Sequence, residues 1–307
     1  MTASIADAGN LQLAHSGARG VVTAEIDLVG AALDALSVGG IELIQQWDRS
    51  QIRPYSSGLV LAPWPNRIRD GKWSDGESHF ALDISEPLRN NAIHGLVAEK
   101  VFRLAESSES SAKLTAEISS VSGYPFSLEL SVTYSLSERG ITCEMTLKNT
   151  GKTAAPVALG AHPYITVGDA PIRSLSIEAP VVSHLITDTQ MIPVAEEAIE
   201  GSDVDISSRV SLKNLDLDTG FRLGGEAPYT TTLAAPDGKR VSLWQSTELG
   251  WLQVFVTDEF PGPDGPTSAV AVEPMTAPAN AFNSGTNLKW LEPGESWGGR
   301  WGISLSD

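Results

Sequence analysis

Between Leu128 and Leu147 the chain alternates with a period of two. Leu128, Leu130, Val132, Tyr134 and Leu136 are interleaved with Glu129, Ser131, Thr133 and Ser135. After Ser137-Glu138-Arg139-Gly140 the pattern resumes, with Ile141, Cys143, Met145 and Leu147 separated by Thr142, Glu144 and Thr146. Side chains of a strand point alternately to opposite faces, so this stretch predicts an antiparallel hairpin with one apolar face. Such a face must be covered by a second layer. Short β-prone segments recur at Lys113 to Ile118, Leu175 to Ala179, Val241 to Trp244, Trp251 to Val256, Ala269 to Glu273 and Arg300 to Leu305, most of them near Gly, Pro, Asp or Ser. Many strands and many turns predict an all-β sandwich with little helix. The best helical candidate, Leu28 to Leu36, is brief, and a strand with a turn at Ser37-Val38-Gly39-Gly40 competes with it. Asp258 to Ser268 holds three Pro and two Gly and reads as a surface loop between two strands. The 307 residues fit one large all-β domain, so a single domain spanning 1–307 is expected.

Charge and cysteine content narrow the partners. Lys and Arg total 21 against 38 Asp and Glu, a net charge of −17 that repels nucleic acid and anionic membranes. The single cysteine, Cys143, cannot form an intramolecular disulfide, and its place on an apolar strand face predicts a buried, inert thiol. Met1 to Asn10 lacks the basic and apolar pattern of a leader, and no window approaches a membrane span. The expected location is the cytoplasm. No period of 20 to 50 residues recurs, which argues against a solenoid or propeller.

Several residues stand where their aim would be constrained. His162 and Glu273 both precede proline, which holds their backbones extended at strand ends. His94 sits in Asn90-Asn91-Ala92-Ile93-His94-Gly95. Arg67 follows Ala62-Pro63-Trp64-Pro65-Asn66, placing a fork-shaped donor and an aromatic ring in one stiff loop of the kind that binds sugars. Each has an ordinary structural alternative: a turn cap for His162, a solvated strand end for Glu273, a surface salt bridge for Arg67, the core for Trp64. Spacing alone does not choose. There is no Gly-x-Gly-x-x-Gly after a strand, no Gly-x-Ser-x-Gly elbow and no His-Glu-x-x-His pair. Gly151-Lys152-Thr153 ends like a phosphate loop, but the position of its first glycine is Thr146, inside a predicted strand. A zinc site from His94, His162 and Glu273 would lack short-range ligand pairs, so no metal is expected.

Taken together, Trp64-Pro65-Asn66-Arg67-Ile68-Arg69-Asp70-Gly71, Asn91-Ala92-Ile93-His94-Gly95, Gly160-Ala161-His162-Pro163-Tyr164 and Glu273-Pro274 resemble the aldose 1-epimerases, the galactose mutarotases, in type and order. Lys72 to Leu88 looks like a hairpin of that family, and Met275 to Asn283 is similar to one of its bacterial branches. The resemblance implies a large antiparallel β-sandwich of the galactose mutarotase type with a sugar cleft on one sheet. It further implies that His162 is the general acid, Glu273 the general base, and Arg67 and His94 contacts to the substrate, with Asn66 and the Trp64 ring of the same loop as further candidate sugar contacts. Asp218, in Asp218-Thr219-Gly220-Phe221, matches a fifth, sugar-binding position, with Asp216 close enough to compete for it. The implied activity is the interconversion of α and β anomers of a free hexose, without a cofactor. With reference pKa values near 4.3 for Glu and 6.5 for His, Glu273 is expected to be ionised at neutral pH, whereas His162 must be kept protonated by its surroundings to act as the acid. The sign of its shift is left open, and a bell-shaped pH profile is expected. Two alternatives stand beside it: a hexose-6-phosphate 1-epimerase, for which Arg53, Arg69 and Arg89 are the nearby cations, and a non-catalytic carbohydrate-binding module on the same sandwich. The preferred aldose and the oligomeric state are left open.

Overall fold

A computed structural model describes residues 9–306, so most of the segment read as lacking a leader lies outside the described residues. The hairpin forms as the alternation requires. Leu128–Ser137 pairs antiparallel with Gly140–Asn149, with Leu130 opposite Leu147 and Tyr134 opposite Cys143. It lies within a nine-stranded sheet ordered Arg103–Ser107, Ser111–Ile118, Leu128–Ser137, Gly140–Asn149, Ser296–Ser306, Arg240–Gln245, Tyr229–Ala234, Ser176–Glu178, Val210–Ser211. A four-stranded sheet, Asn10–Gly17, Gly20–Asp27, Ala32–Val38 and Ile41–Glu42, packs over the hairpin half. A seven-stranded sheet runs Pro193–Ala198, Val181–Thr187, Asp218–Leu223, Trp251–Gly262, Gly265–Met275, Gly160–Ala161, Val60–Leu61. Leu243 and Ile303 from the nine-stranded sheet and Leu252, Val254 and Val272 from the seven-stranded sheet share one core. This is the expected antiparallel sandwich. Its only α-helix among the described residues is one turn, Ala281–Ser284.

One open choice is decided and one expectation changes. Leu28 to Leu36 takes the strand of its two alternatives: Ala32–Val38 is a strand, because pairing with Gly20–Asp27 buries Leu33, Leu36 and Val38 together. Asp258 to Ser268 is not a free loop, since Trp251–Gly262 and Gly265–Met275 continue through it as a hairpin. Pro261 lies opposite Pro266, and two opposed prolines fit a ladder at a pair that exchanges no N–H bonds. A bulge between Thr257 and Phe260 takes up Asp258 and Glu259.

Cys143 is buried, and burial pushes its thiol up, away from the reactive thiolate. Beside it, the Tyr134 hydroxyl donates to the carbonyl of Ala31 at 2.8 Å, tying the hairpin to the turn that leads into Ala32–Val38 of the four-stranded sheet. Tyr134→Phe leaves that carbonyl without a partner and is expected to cost about 1–2 kcal/mol in urea unfolding. A loss below about 0.3 kcal/mol would show that the hydrogen bond does not join the layers.

Candidate active site

The seven-stranded sheet turns one face to the core and the other to a cleft of about 390 Å³. The two-residue period of Trp251–Gly262 sorts its side chains accordingly. Leu252, Val254 and Val256 enter the core, while Gln253, Phe255 and Thr257 line the cleft. On the neighbouring strand Val270 and Val272 are core and Glu273 faces the cleft, directly across from Gln253. Glu273 is 2% exposed.

His162 follows the short strand Gly160–Ala161. Its backbone N–H donates to Leu59 and its carbonyl accepts from Gly58, at 3.0 and 2.9 Å. Nε2 of its imidazole lies 3.4 Å from Oε1 of Glu273, and the second carboxyl oxygen, Oε2, has no hydrogen-bond partner. Residues far apart in the chain thus meet in one buried pair. Burial drives His162 down to about 3, with Arg67 acting the same way. Burial, then Asp218, drives Glu273 well above the usual carboxylate range, against the pull of Arg67. In the protein by itself the neutral forms are favoured, the reverse of the ionised Glu273 expected from its reference value and of the protonated His162 that the acid role asks for. The reason is the low-dielectric surroundings, which the sequence does not disclose.

His94 is set by an exchange with Asn66. The His94 N–H donates to the Asn66 carbonyl at 3.0 Å, and the Asn66 N–H donates to Nδ1 of His94 at 3.2 Å. An Nδ1 that accepts leaves the ring proton on Nε2, so His94 is a neutral donor. Burial, followed by His162 and Arg67, holds its pKa well below the usual value. Both residues have left-handed backbones, with φ of 64° at His94 and 56° at Asn66. Gly95 continues that turn at φ 80°, and a Cβ there would lie 2.1 Å from the Ala62 carbonyl oxygen. The two rings His94 and His162 meet edge to face at 5.2 Å, and Tyr164 stacks beneath His162 at 5.3 Å.

Arg67 is held in a two-pronged pair with Glu86, Nε to Oε2 and Nη2 to Oε1, both at 2.9 Å. Glu86 also accepts from Asn91 and Arg89, each at 3.0 Å. Burial works against its charge, but the hydrogen bonds from Arg67, Asn91 and Arg89 keep its pKa below the ordinary value. Across the cleft, Gln253 Nε2 donates to Asp218 at 2.7 Å, and Asn66 Nδ2 lies 3.5 Å from Gln253 Oε1. Asp216 is turned outward to Arg173 at 2.8 Å, so Asp218 is the carboxylate that lines the cleft.

The structure brings His162, Glu273, Arg67, His94, Asp218 and Asn66 to one cleft, but not Trp64. That ring is 3% exposed, wedged edge to face on Phe282 at 5.6 Å and tilted on Tyr124 at 6.3 Å. The Trp64–Tyr124 contact completes its enclosure, so it cannot stack on a sugar and serves the core beneath the Arg67 loop. Gln253 and Glu86 were missed by sequence reasoning. Gln253 does interrupt an apolar run, Trp251-Leu252-Gln253-Val254, whereas Glu86 carries no local signal. Each arginine considered for a phosphate is matched to acid. Arg53 bonds Asp34 and Asp27, Arg69 bonds Asp188, and Arg89, which does line the cleft, bonds Glu86. Among the described residues no three His, Cys, Asp or Glu are grouped as metal ligands, and no helix is long and apolar enough to cross a membrane.

The family model for aldose 1-epimerases matches residues 14–304. The chain belongs to the aldose 1-epimerase family. It is 30% identical over 279 residues to the uncharacterized protein YihR of Escherichia coli K12, covering 91% of this chain and 88% of that one. Among solved structures, the galactose 1-epimerase of Lactobacillus acidophilus NCFM superposes with a TM-score of 0.79 at 17% identity, over 98% of this chain and 99% of that one. A galactose mutarotase-like protein of Clostridium acetobutylicum gives 0.84 at 17% identity, over 99% and 97%. These two likenesses establish the fold. The epimerase sandwich places its cleft on the face of the seven-stranded sheet opposite the core, so the strands that build the core also hold Glu273, Gln253 and Asp218.

Proposed function

We propose that this epimerase interconverts the α and β anomers of a free aldose by acid–base opening and closing of the ring. The observation that carries the reading is the 3.4 Å approach of His162 Nε2 to Glu273 Oε1 in a polar cleft. Ring opening removes the proton of the C1 hydroxyl and delivers one to the ring oxygen, so the bond between C1 and the ring oxygen breaks and an aldehyde forms. Rotation about the C1–C2 bond offers the other carbonyl face, and closure reverses both transfers. The base is Glu273 and the acid His162.

The two groups need to hold one proton between them. A protonated Glu273 beside a neutral His162 has the same proton count as an ionised Glu273 beside an imidazolium, so a transfer across the pair exchanges one for the other. Sugar hydroxyls donating to the carboxylate favour the second arrangement, which readies Glu273 to accept and His162 to donate. Each is expected to contribute about 10²- to 10⁴-fold, or roughly 3–5 kcal/mol of barrier. His94 offers its Nε2–H, and Asp218 and Gln253 offer acceptor and donor, to the remaining hydroxyls.

The pair carries a single proton from the lowered His162 value to the raised Glu273 value. kcat/KM is therefore expected to fall as pH drops through about 3 and to fall again as pH rises through the Glu273 pKa. A loss of activity only as pH rises through about 6.5 would describe an isolated imidazolium acid instead of this pair. The activity itself is tested by polarimetry on freshly dissolved α-glucose and α-galactose. Mutarotation faster than buffer supports the reading, and sugar binding without acceleration would make the protein a carbohydrate-binding module. The commitment of Arg53, Arg69 and Arg89 to carboxylates supports a free sugar, and glucose against glucose 6-phosphate kinetics tests that choice.

A further inference from the structure

Arg67 is the cation that acts on all three buried groups of the inner cleft, pulling down the pKa values of His94, His162 and Glu273 alike. Its position and its charge are both set by Glu86, and every acceptor site of that carboxylate is taken. Oε1 accepts from Arg67 Nη2 at 2.9 Å and from Arg89 Nη1 at 3.0 Å. Oε2 accepts from Arg67 Nε at 2.9 Å and from Asn91 Nδ2 at 3.0 Å. A carboxylate has about four lone-pair sites, so none is left for a sugar hydroxyl. Glu86 is suited to hold another side chain and not to react.

The place of Glu86 does not depend on Arg67. Glu86 and Asn91 exchange both backbone hydrogen bonds across the turn between them, at 2.9 and 3.2 Å. Asn91 is fully buried, and its amide also donates to the Gln190 carbonyl at 2.9 Å. The Gln190 side chain in turn donates to the Arg89 carbonyl at 3.1 Å. The turn between Val181–Thr187 and Pro193–Ala198 thereby braces both of the other residues that bond Glu86. A fixed carboxylate takes Nε and one edge of the Arg67 guanidinium. Among the described residues, the remaining side-chain contact of Arg67 is Asn66 Oδ1, 3.5 Å from Nη1. A planar fork held by one edge offers its other edge to the cleft in a set direction, and loses little rotamer freedom when a ligand binds there.

We propose that Glu86 is a positioning residue for anomer exchange: it holds the Arg67 fork edge-on to the cleft and offsets its charge, so that the sugar meets an ion pair instead of a loose cation. The proposal rests on the epimerase reading and deepens it. The titratable and charged groups that face the acid–base pair are Asp218, from Asp218–Leu223, His94, from the turn after Asn91–Ile93, Tyr164, stacked beneath His162, and Arg67. Arg67 is the cation in that set. Without the Glu86 charge behind it, Arg67 pulls on Glu273 unopposed, and an unopposed positive charge lowers a carboxyl pKa.

The test follows anomer exchange of glucose and galactose against pH in the unmodified protein, Glu86→Gln, Glu86→Asp, Arg67→Gln and the double variant of Glu86→Gln with Arg67→Gln. Glu86→Gln is expected to lower kcat/KM about tenfold, mainly by raising KM, because contacts to hydroxyls away from C1 are made equally before and during ring opening. It should also move the alkaline limb to lower pH. Glu86→Asp keeps the charge but shortens the arm, so its limb should stay with that of the parent while KM rises. The double variant should be no slower than Arg67→Gln alone, since a residue that acts through Arg67 then has nothing left to act on. An unmoved limb with kcat/KM within about twofold of the parent in Glu86→Gln, or losses that multiply in the double variant, would overturn the proposal. If the unmodified protein accelerates neither sugar, the epimerase reading fails by itself, and NMR of the Arg67 Nε–H still decides the clamp. Slow solvent exchange of that proton, lost in Glu86→Gln, supports it, and equal exchange in both proteins overturns it.

Discussion

Glu273→Gln is expected to slow anomer exchange by about 10²- to 10⁴-fold while leaving the protein folded. The amide reproduces the shape of the carboxyl in a site that is 2% exposed, but it cannot take the C1 hydroxyl proton. Stability moves the other way. Glu273 has a folded-state pKa above its unfolded one, so its contribution to stability is full below the unfolded value and is lost as pH rises through the folded value. Gln has no such loss. At alkaline pH the variant should therefore melt at or above the temperature of the parent, which separates a chemical defect from a folding one. Turnover within about threefold of the parent would remove Glu273 as the base.

His162→Gln is expected to cost a similar factor of about 10² to 10⁴, and the double variant should be about as slow as either single one. The two side chains share one proton, so removing either removes the function of both. If the losses instead multiply, His162 and Glu273 act independently and the paired mechanism fails. The pH profile of His162→Gln supplies a second readout, since the limb near pH 3 belongs to the pair and should disappear.

What was legible beforehand follows the range of the forces involved. The hairpin from Leu128 to Asn149 was readable because period-two burial is written into adjacent residues, and Leu130 opposite Leu147 is where that alternation places them. Asp258 to Ser268 misled because Pro and Gly ordinarily interrupt strands, and only the partner strand reveals that Pro261 and Pro266 oppose each other. Trp64 misled for a related reason. Its proline-rich loop suggested an exposed plate, whereas Tyr124 and Phe282, distant in sequence, enclose it. Asp218 and Asp216 could not be separated until Arg173 was seen to draw Asp216 outward, while the strand Asp218–Leu223 placed Asp218 beside Phe255 on the cleft face.

By itself the sequence determined the all-β class, the hairpin, the buried Cys143 and, through four short motifs that resemble one family, which histidines, which glutamate and which arginine to follow. Only the tertiary structure decided that His162 stands 3.4 Å from Glu273, that Glu86 holds Arg67, and that Gln253 bonds Asp218. It also decided the direction in which the His162 and Glu273 pKa values move, because protonation depends on how much water surrounds a group, and that is settled by which distant strands close over it. Period and turn chemistry act between neighbours in the chain, whereas burial and charge pairing act between neighbours in space.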